Sequence, residues 1–166
     1  MGLFRRKRLF SAADDGFAVT LDPEVRQFVL SLARQLDELL ELDVNETKRL
    51  FPTAYHDDPE REAGYQILAR QQLIDSRREA ISLIEATVDQ DVLTEEELAA
   101  WMGIVNDLRL VLGTRLDVSE DDHDIDPEAD DADLHLLYHQ LGYLLSEIVD
   151  ALTGTLPPPT VADDPV

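Results

Sequence analysis

The 166-residue sequence contains no cysteine. That absence rules out disulfides, thiolate metal ligands, a cysteine nucleophile and any thiol-based redox switch within the chain. Long apolar runs are missing as well. The uninterrupted stretches are only a few residues, far short of the roughly 20 that a membrane-spanning helix needs, so no membrane association is expected. The opening MGLFRRKRLF carries a basic cluster without an apolar segment behind it, so no secretory signal is expected. It begins Met-Gly, yet Arg6 stands where a myristoylation motif takes Ser or Thr. A cytoplasmic location is the resulting expectation. There is no glycine-rich phosphate loop, nucleophile elbow or HExxH pattern. Catalytic residues and a cofactor are therefore not expected.

Positive charge is also scarce. Fourteen Lys and Arg face 36 Asp and Glu, for a net charge of −22. Acids crowd the stretch from Asp117 to Asp133, which has no Lys or Arg, while bases gather at Arg5, Arg6, Lys7 and Arg8. Affinity for nucleic acid rests on neutralising phosphates with Lys and Arg, so strong direct binding to nucleic acid is not expected. An acidic surface instead steers basic partners and keeps the chain dispersed.

What is present is helical periodicity. Asp22-Pro23-Glu24 opens a first helix with an N-cap Asp and Pro in the first turn. Val25, Phe28, Val29, Leu32, Leu36, Leu39 and Leu40 follow at helical spacing, and the helix is expected to end near Asp43. Pro52 and Pro59 bound a connector. A second helix is predicted from about Pro59 to Val88, with Ile67, Ile74, Ile81, Ile84 and Val88 on its seam and Arg70 and Arg77 at seam-like positions. Thr94-Glu95-Glu96-Glu97 is a capping box for a third helix, whose core face is Leu98, Trp101, Val105, Leu108 and Leu112. A fourth runs from about Ala132 to Thr153, with a leucine-rich face from Leu134 to Leu152. Ahead of them, Leu3 to Phe10 and Phe17 to Leu21 are predicted strands around a turn at Ala13–Gly16.

The expected fold is mainly α: a four-helix bundle with a short N-terminal β-hairpin. Residues 1–21 form the hairpin and 22–154 the bundle, with an acidic loop at 117–131; 155–166 form a disordered Pro-rich tail. The size suits one domain.

Three polar groupings could carry chemistry. Asp122, Asp124 and Asp126 begin like a calcium loop with Asp133 at the twelfth place, but Pro127 stands where that loop needs Gly. Asp131, His135 and His139 are spaced one helical turn apart and offer three metal-ligand types on one face, with nothing marking a second shell. No metal is expected at either. The third grouping is Arg70, Arg77 and Arg78 on the second helix with Asn106, Asp107, Arg109 and Arg115 on the third. A buried charge must find a partner, so Asp107 is expected to pair with an arginine of the second helix and fix register. The alternative is that these arginines line a groove for an acidic or helical segment of a partner.

The string AWMGIVNDLRLVLGTRL, preceded by LTEEE and LFPTAYHDDPEREAGY, resembles the actinobacterial oxidative-stress regulator (AosR-like) family, formerly catalogued as a domain of unknown function. The matching positions are Leu50, Phe51, Pro52, Tyr55, Asp58, Pro59, Asn106, Asp107, Arg109, Gly113, Thr114 and Arg115. The resemblance implies a non-enzymatic transcriptional regulator that acts through a sigma factor or RNA polymerase subunit. It also suggests, through gene neighbourhood, an adaptor or scaffold in proteolysis or sulfur metabolism. A metal-dependent enzyme using Asp131, His135 and His139 is the remaining alternative, and a homodimer is left open.

Overall fold

The chain first reverses at Asp14-Asp15, between strands β1 (Phe10–Ala13) and β2 (Gly16–Val19), which pair antiparallel with Ala13 opposite Gly16. The computed structural model describes residues 8–42, 44–118 and 130–154. Most of the predicted strand from Leu3 thus lies outside the described residues, and the observed strand starts at Phe10, where that prediction ends. A short third strand, β3 (Val92–Leu93), completes a sheet in the order β1-β2-β3. Gly16 makes this possible. Its φ is +145°, and a Cβ there would sit 2.2 Å from the Leu93 carbonyl oxygen, so only glycine lets β2 close against β3. Phe10, Phe17 and Leu93 point from the sheet into the core.

Asp22 caps helix α1 (Pro23–Leu40) by accepting from the Glu24 amide at 2.8 Å. Val29, Leu30, Ala33, Leu36 and Leu40 form its buried face. Val25 and Phe28, expected inside, are 41% and 48% exposed. The helix is rotated toward Arg26 instead, which is buried because three carbonyls receive it. Its Nε donates to Leu21 O at 3.0 Å, and its Nη1 donates to Gln90 O at 2.7 Å and Val88 O at 3.4 Å. These bonds tie the start of α1 to the segment leading into β3.

A 3-10 helix, Asn45–Leu50, follows α1, which ends at Leu40 rather than near Asp43. Helix α2 (Pro59–Thr87) is capped by Asp58, which accepts from the Arg61 amide at 3.0 Å. Only Ile74, Ile81, Ile84 and Thr87 of α2 are buried. Ile67, expected on the seam, is 75% exposed. Here the first half of α2 holds the connector before it: Glu62 Oε2 accepts from the amides of Ala54 at 3.0 Å and Tyr55 at 2.7 Å. A hydrogen bond from the Gln66 side chain, with those two from the backbone, holds the Glu62 carboxyl below its ordinary range.

Helix α3 (Glu95–Arg115) opens on the capping box, with Thr94 and Glu97 satisfying each other's backbone amides. It is the axis of the arrangement, packed by α2, by the 3-10 helix, by α4 (Ala132–Thr153) and more lightly by α1. Trp101, Ile104 and Val105 lie at its centre, almost wholly buried. Leu141, Leu144, Ile148 and Ala151 bring α4 onto it. The fold is therefore mainly helical, with a small antiparallel sheet at its N-terminal end. No helix among the described residues is long and apolar enough to cross a membrane.

Candidate functional site

Arg77 reaches from α2 to α3 and meets Asp107: Nε lies 2.7 Å from Oδ2 and Nη2 lies 3.5 Å from Oδ1. Two further donors of that guanidinium are also used, Nη1 on Leu73 O and Nη2 on Leu50 O, both at 3.2 Å. The pair is nearly closed from water, with side-chain exposures of 15% and 12%. Burial pushes the Asp107 carboxyl above its ordinary range, and the hydrogen bond and charge of Arg77 offset only part of that. Phe51 closes one side of this seam. The Arg70 guanidinium lies 3.9 Å from the ring centre and donates to the carbonyl of Leu42 at 3.3 Å. These contacts join α2, α3 and the 3-10 helix.

The other polar residues singled out in the sequence go elsewhere. Arg78 faces α1 instead and pairs with Asp37 and Glu41 at its end. Asn106 is half-buried and Arg115 is exposed. Arg109 turns away from α2 altogether, toward Tyr138 of α4. His135 Nε2 is 3.7 Å from Asp131 Oδ2, while His139 packs edge-on against Tyr138. No group of three metal-ligating side chains assembles among the described residues. The calcium-loop pattern from Asp122 and the Pro-rich tail lie outside the described residues, as does most of the acidic loop.

A different feature emerges between α1 and α4. These helices run along two sides of α3 without packing closely on each other, and an apolar groove is left between them. One section, about 210 Å³, is floored by Leu108 and Val111 of α3; the next, about 440 Å³, is walled by Val29, Leu141 and Leu144. Leu137 lines both, so the sections adjoin. Val25, Phe28 and Tyr143 stand exposed at the lip. Helix α4 carries Asp133, Glu147 and Asp150 and no Lys or Arg, while the polar side chains that line the groove itself include Gln35, Glu46, Arg115, His139 and Gln140. Periodicity alone assigns Val25 and Phe28 to the core. The available hint is Arg26 between them, since a helix that buries an arginine cannot also bury every apolar stripe beside it.

Neither a curated protein nor a solved structure matches the chain. A family model does, over residues 5–152, which spans the sheet, the polar seam and both walls of the groove. The chain thus belongs to the family described as a domain of unknown function, DUF2017.

Proposed function

We propose that this protein is a non-enzymatic regulatory module that works by holding a protein partner in the α1–α4 groove. The observation that carries the proposal is the exposure of Val25, Phe28 and Tyr143 at the lip of an apolar groove in a chain of net charge −22. Contiguous apolar surface on a soluble domain marks interaction sites. Covering a side chain such as Phe28 contributes roughly 1.5–3 kcal/mol, enough to anchor a partner. A groove between two helices fits the apolar stripe of a third, and the net charge of −22 on the chain favours one flanked by Lys or Arg. Like charge along nucleic-acid backbones is repelled by the same surface.

The resemblance to actinobacterial AosR-like regulators gives that partner an identity within the cytoplasm: a sigma factor or RNA polymerase subunit. The test is direct binding between the purified full chain and purified sigma factors and polymerase subunits, in parallel with a Val25→Glu/Phe28→Glu variant. Both positions are exposed, so the variant should melt like wild type and bind at least tenfold more weakly. Absence of binding to every sigma factor and polymerase subunit would overturn the identity. Unchanged binding by the variant would overturn the groove.

A further inference from the structure

On the face of α3 turned to α4, Arg109 lies across the backbone of Gly142. A Cβ on that glycine would be 3.1 Å from Arg109 Nε and 3.6 Å from its Cζ. The guanidinium sits 4.5 Å from the centre of the Tyr138 ring. Arg49 of the 3-10 helix comes near the same ring at Gly113. The place a Cβ on Gly113 would take is 3.5 Å from Arg49 Nη1 and 3.2 Å from Tyr138 Cε2. Both helices are thus pared to glycine where they approach this cluster, with one guanidinium over the Tyr138 ring and a second nearby at Gly113.

Among the described residues neither cation is neutralised by an ion pair. No carboxylate among the described residues lies within 4.0 Å of Arg49 or Arg109, although acids outnumber bases 36 to 14 in the chain. Arg109 Nε is buried with no hydrogen-bond partner among the described residues. An unmet buried donor on a charged group is costly, and two neighbouring cations repel each other. A chain so rich in carboxylates could have met both with one Asp or Glu, as it does for Arg77.

We infer that Arg49, Arg109 and Tyr138 form a binding site for the phosphate of a phosphomonoester. A monoester phosphate carries about −1.5 to −2 charges at neutral pH, which matches two guanidinium groups where a carboxylate does not. Guanidinium forks suit phosphate oxygens, and the Tyr138 hydroxyl offers a further donor. The surrounding acidity admits one isolated phosphate and repels a polymer of them. The site is independent of the α1–α4 groove. The phosphate can belong to a free small molecule or to a phosphorylated side chain on a partner.

The experiment is a titration of the full chain at constant ionic strength, followed through the amide resonances of Gly113 and Gly142. The probes are inorganic phosphate, a neutral phosphoserine tetrapeptide and acetate. Saturable shifts at both glycines with phosphate, and none with acetate, are expected. Arg49 is exposed, so Arg49→Gln should keep the wild-type melting temperature and weaken phosphate binding at least tenfold. Arg34→Gln, whose partner Glu85 lies elsewhere, should leave binding unchanged. Equal affinity for phosphate and peptide supports a free phosphomonoester, and a peptide tenfold tighter supports a phosphorylated partner. The absence of saturable shifts, an equal response to acetate, or wild-type binding by Arg49→Gln would overturn the assignment.

Discussion

The α2–α3 seam and the α3–α4 seam each place a guanidinium against the same central helix, and the two are treated in opposite ways. Arg77 is bonded to Asp107 and to two carbonyls, its charge compensated where water is excluded. Arg109 spreads over Tyr138 and Gly142 with a buried Nε that donates to nothing among the described residues. The first arrangement holds two helices and the connector between α1 and α2 in register. The second leaves charge available. A half-buried arginine is therefore defined by its partner rather than by its burial.

The largest expected effect falls on the closed seam. Asp107→Ala leaves the Arg77 charge unpaired, which typically costs about 3–5 kcal/mol. For a domain of this size that lowers the melting temperature by roughly 10 °C or more, measurable by calorimetry. Arg77→Met should cost a similar amount, because it strands the Asp107 carboxylate. A melting temperature within a degree or two of wild type for both would mean that the seam is not what fixes the helices.

A smaller effect distinguishes charge from shape at the same place. Burial holds the Asp107 carboxyl above its ordinary range despite Arg77, so the folded chain takes up this proton at a higher pH than the unfolded chain does. The ionised form is thus a cost at neutral pH, and that cost is relieved as pH falls through the folded pKa toward the ordinary value of about 4. Asp107→Asn has no such proton. The melting-temperature difference between wild type and Asp107→Asn should therefore move in favour of wild type between pH 7 and about pH 4. Movement in the opposite direction would mean that the Arg77 charge outweighs burial.

The smallest effects belong to the open seam. Arg109→Met keeps the apolar stem and removes the uncompensated charge; losing its stacking on Tyr138 costs about 0.5–1 kcal/mol, set against relief of the unmet donor. Net stability should change by less than about 1 kcal/mol, in contrast to Arg77→Met. Gly142→Ala gains about 0.8–1 kcal/mol of helix propensity but must displace Arg109, whose Nε would be 3.1 Å from the new methyl. In an Arg109→Ala background that obstacle is gone. A double-mutant cycle should show Gly142→Ala to be more favourable there than in wild type, and additivity would mean that Arg109 does not rest on Gly142.

The helices are legible in the sequence because their ends are chemically marked, by Asp22-Pro23, Asp58-Pro59 and Thr94 with Glu97. Strand β3 is not, since two residues carry no period to read. Tertiary choice is harder still. Val25 and Phe28 satisfy the same spacing as Val29 and Leu32, and only the carbonyls that receive Arg26 decide which stripe turns inward. Asp107 and Arg109 look like one charged group in the sequence, yet residues two apart on a helix do not face each other. One accordingly meets α2 and the other α4. The glycines that make room for the Arg109 cluster look ordinary until the neighbouring helix is in place.

Helix α3 is packed by α2, α4 and the 3-10 helix, and Trp101, Ile104 and Val105 at its centre are almost wholly buried. The first half of α2, where Ile67 and Leu68 are 75% and 77% exposed, can fray without disturbing that centre. Deuterium should therefore enter the chain as a gradient: within the first turns of α2 early, and around Trp101, Ile104 and Val105 only when the whole molecule opens.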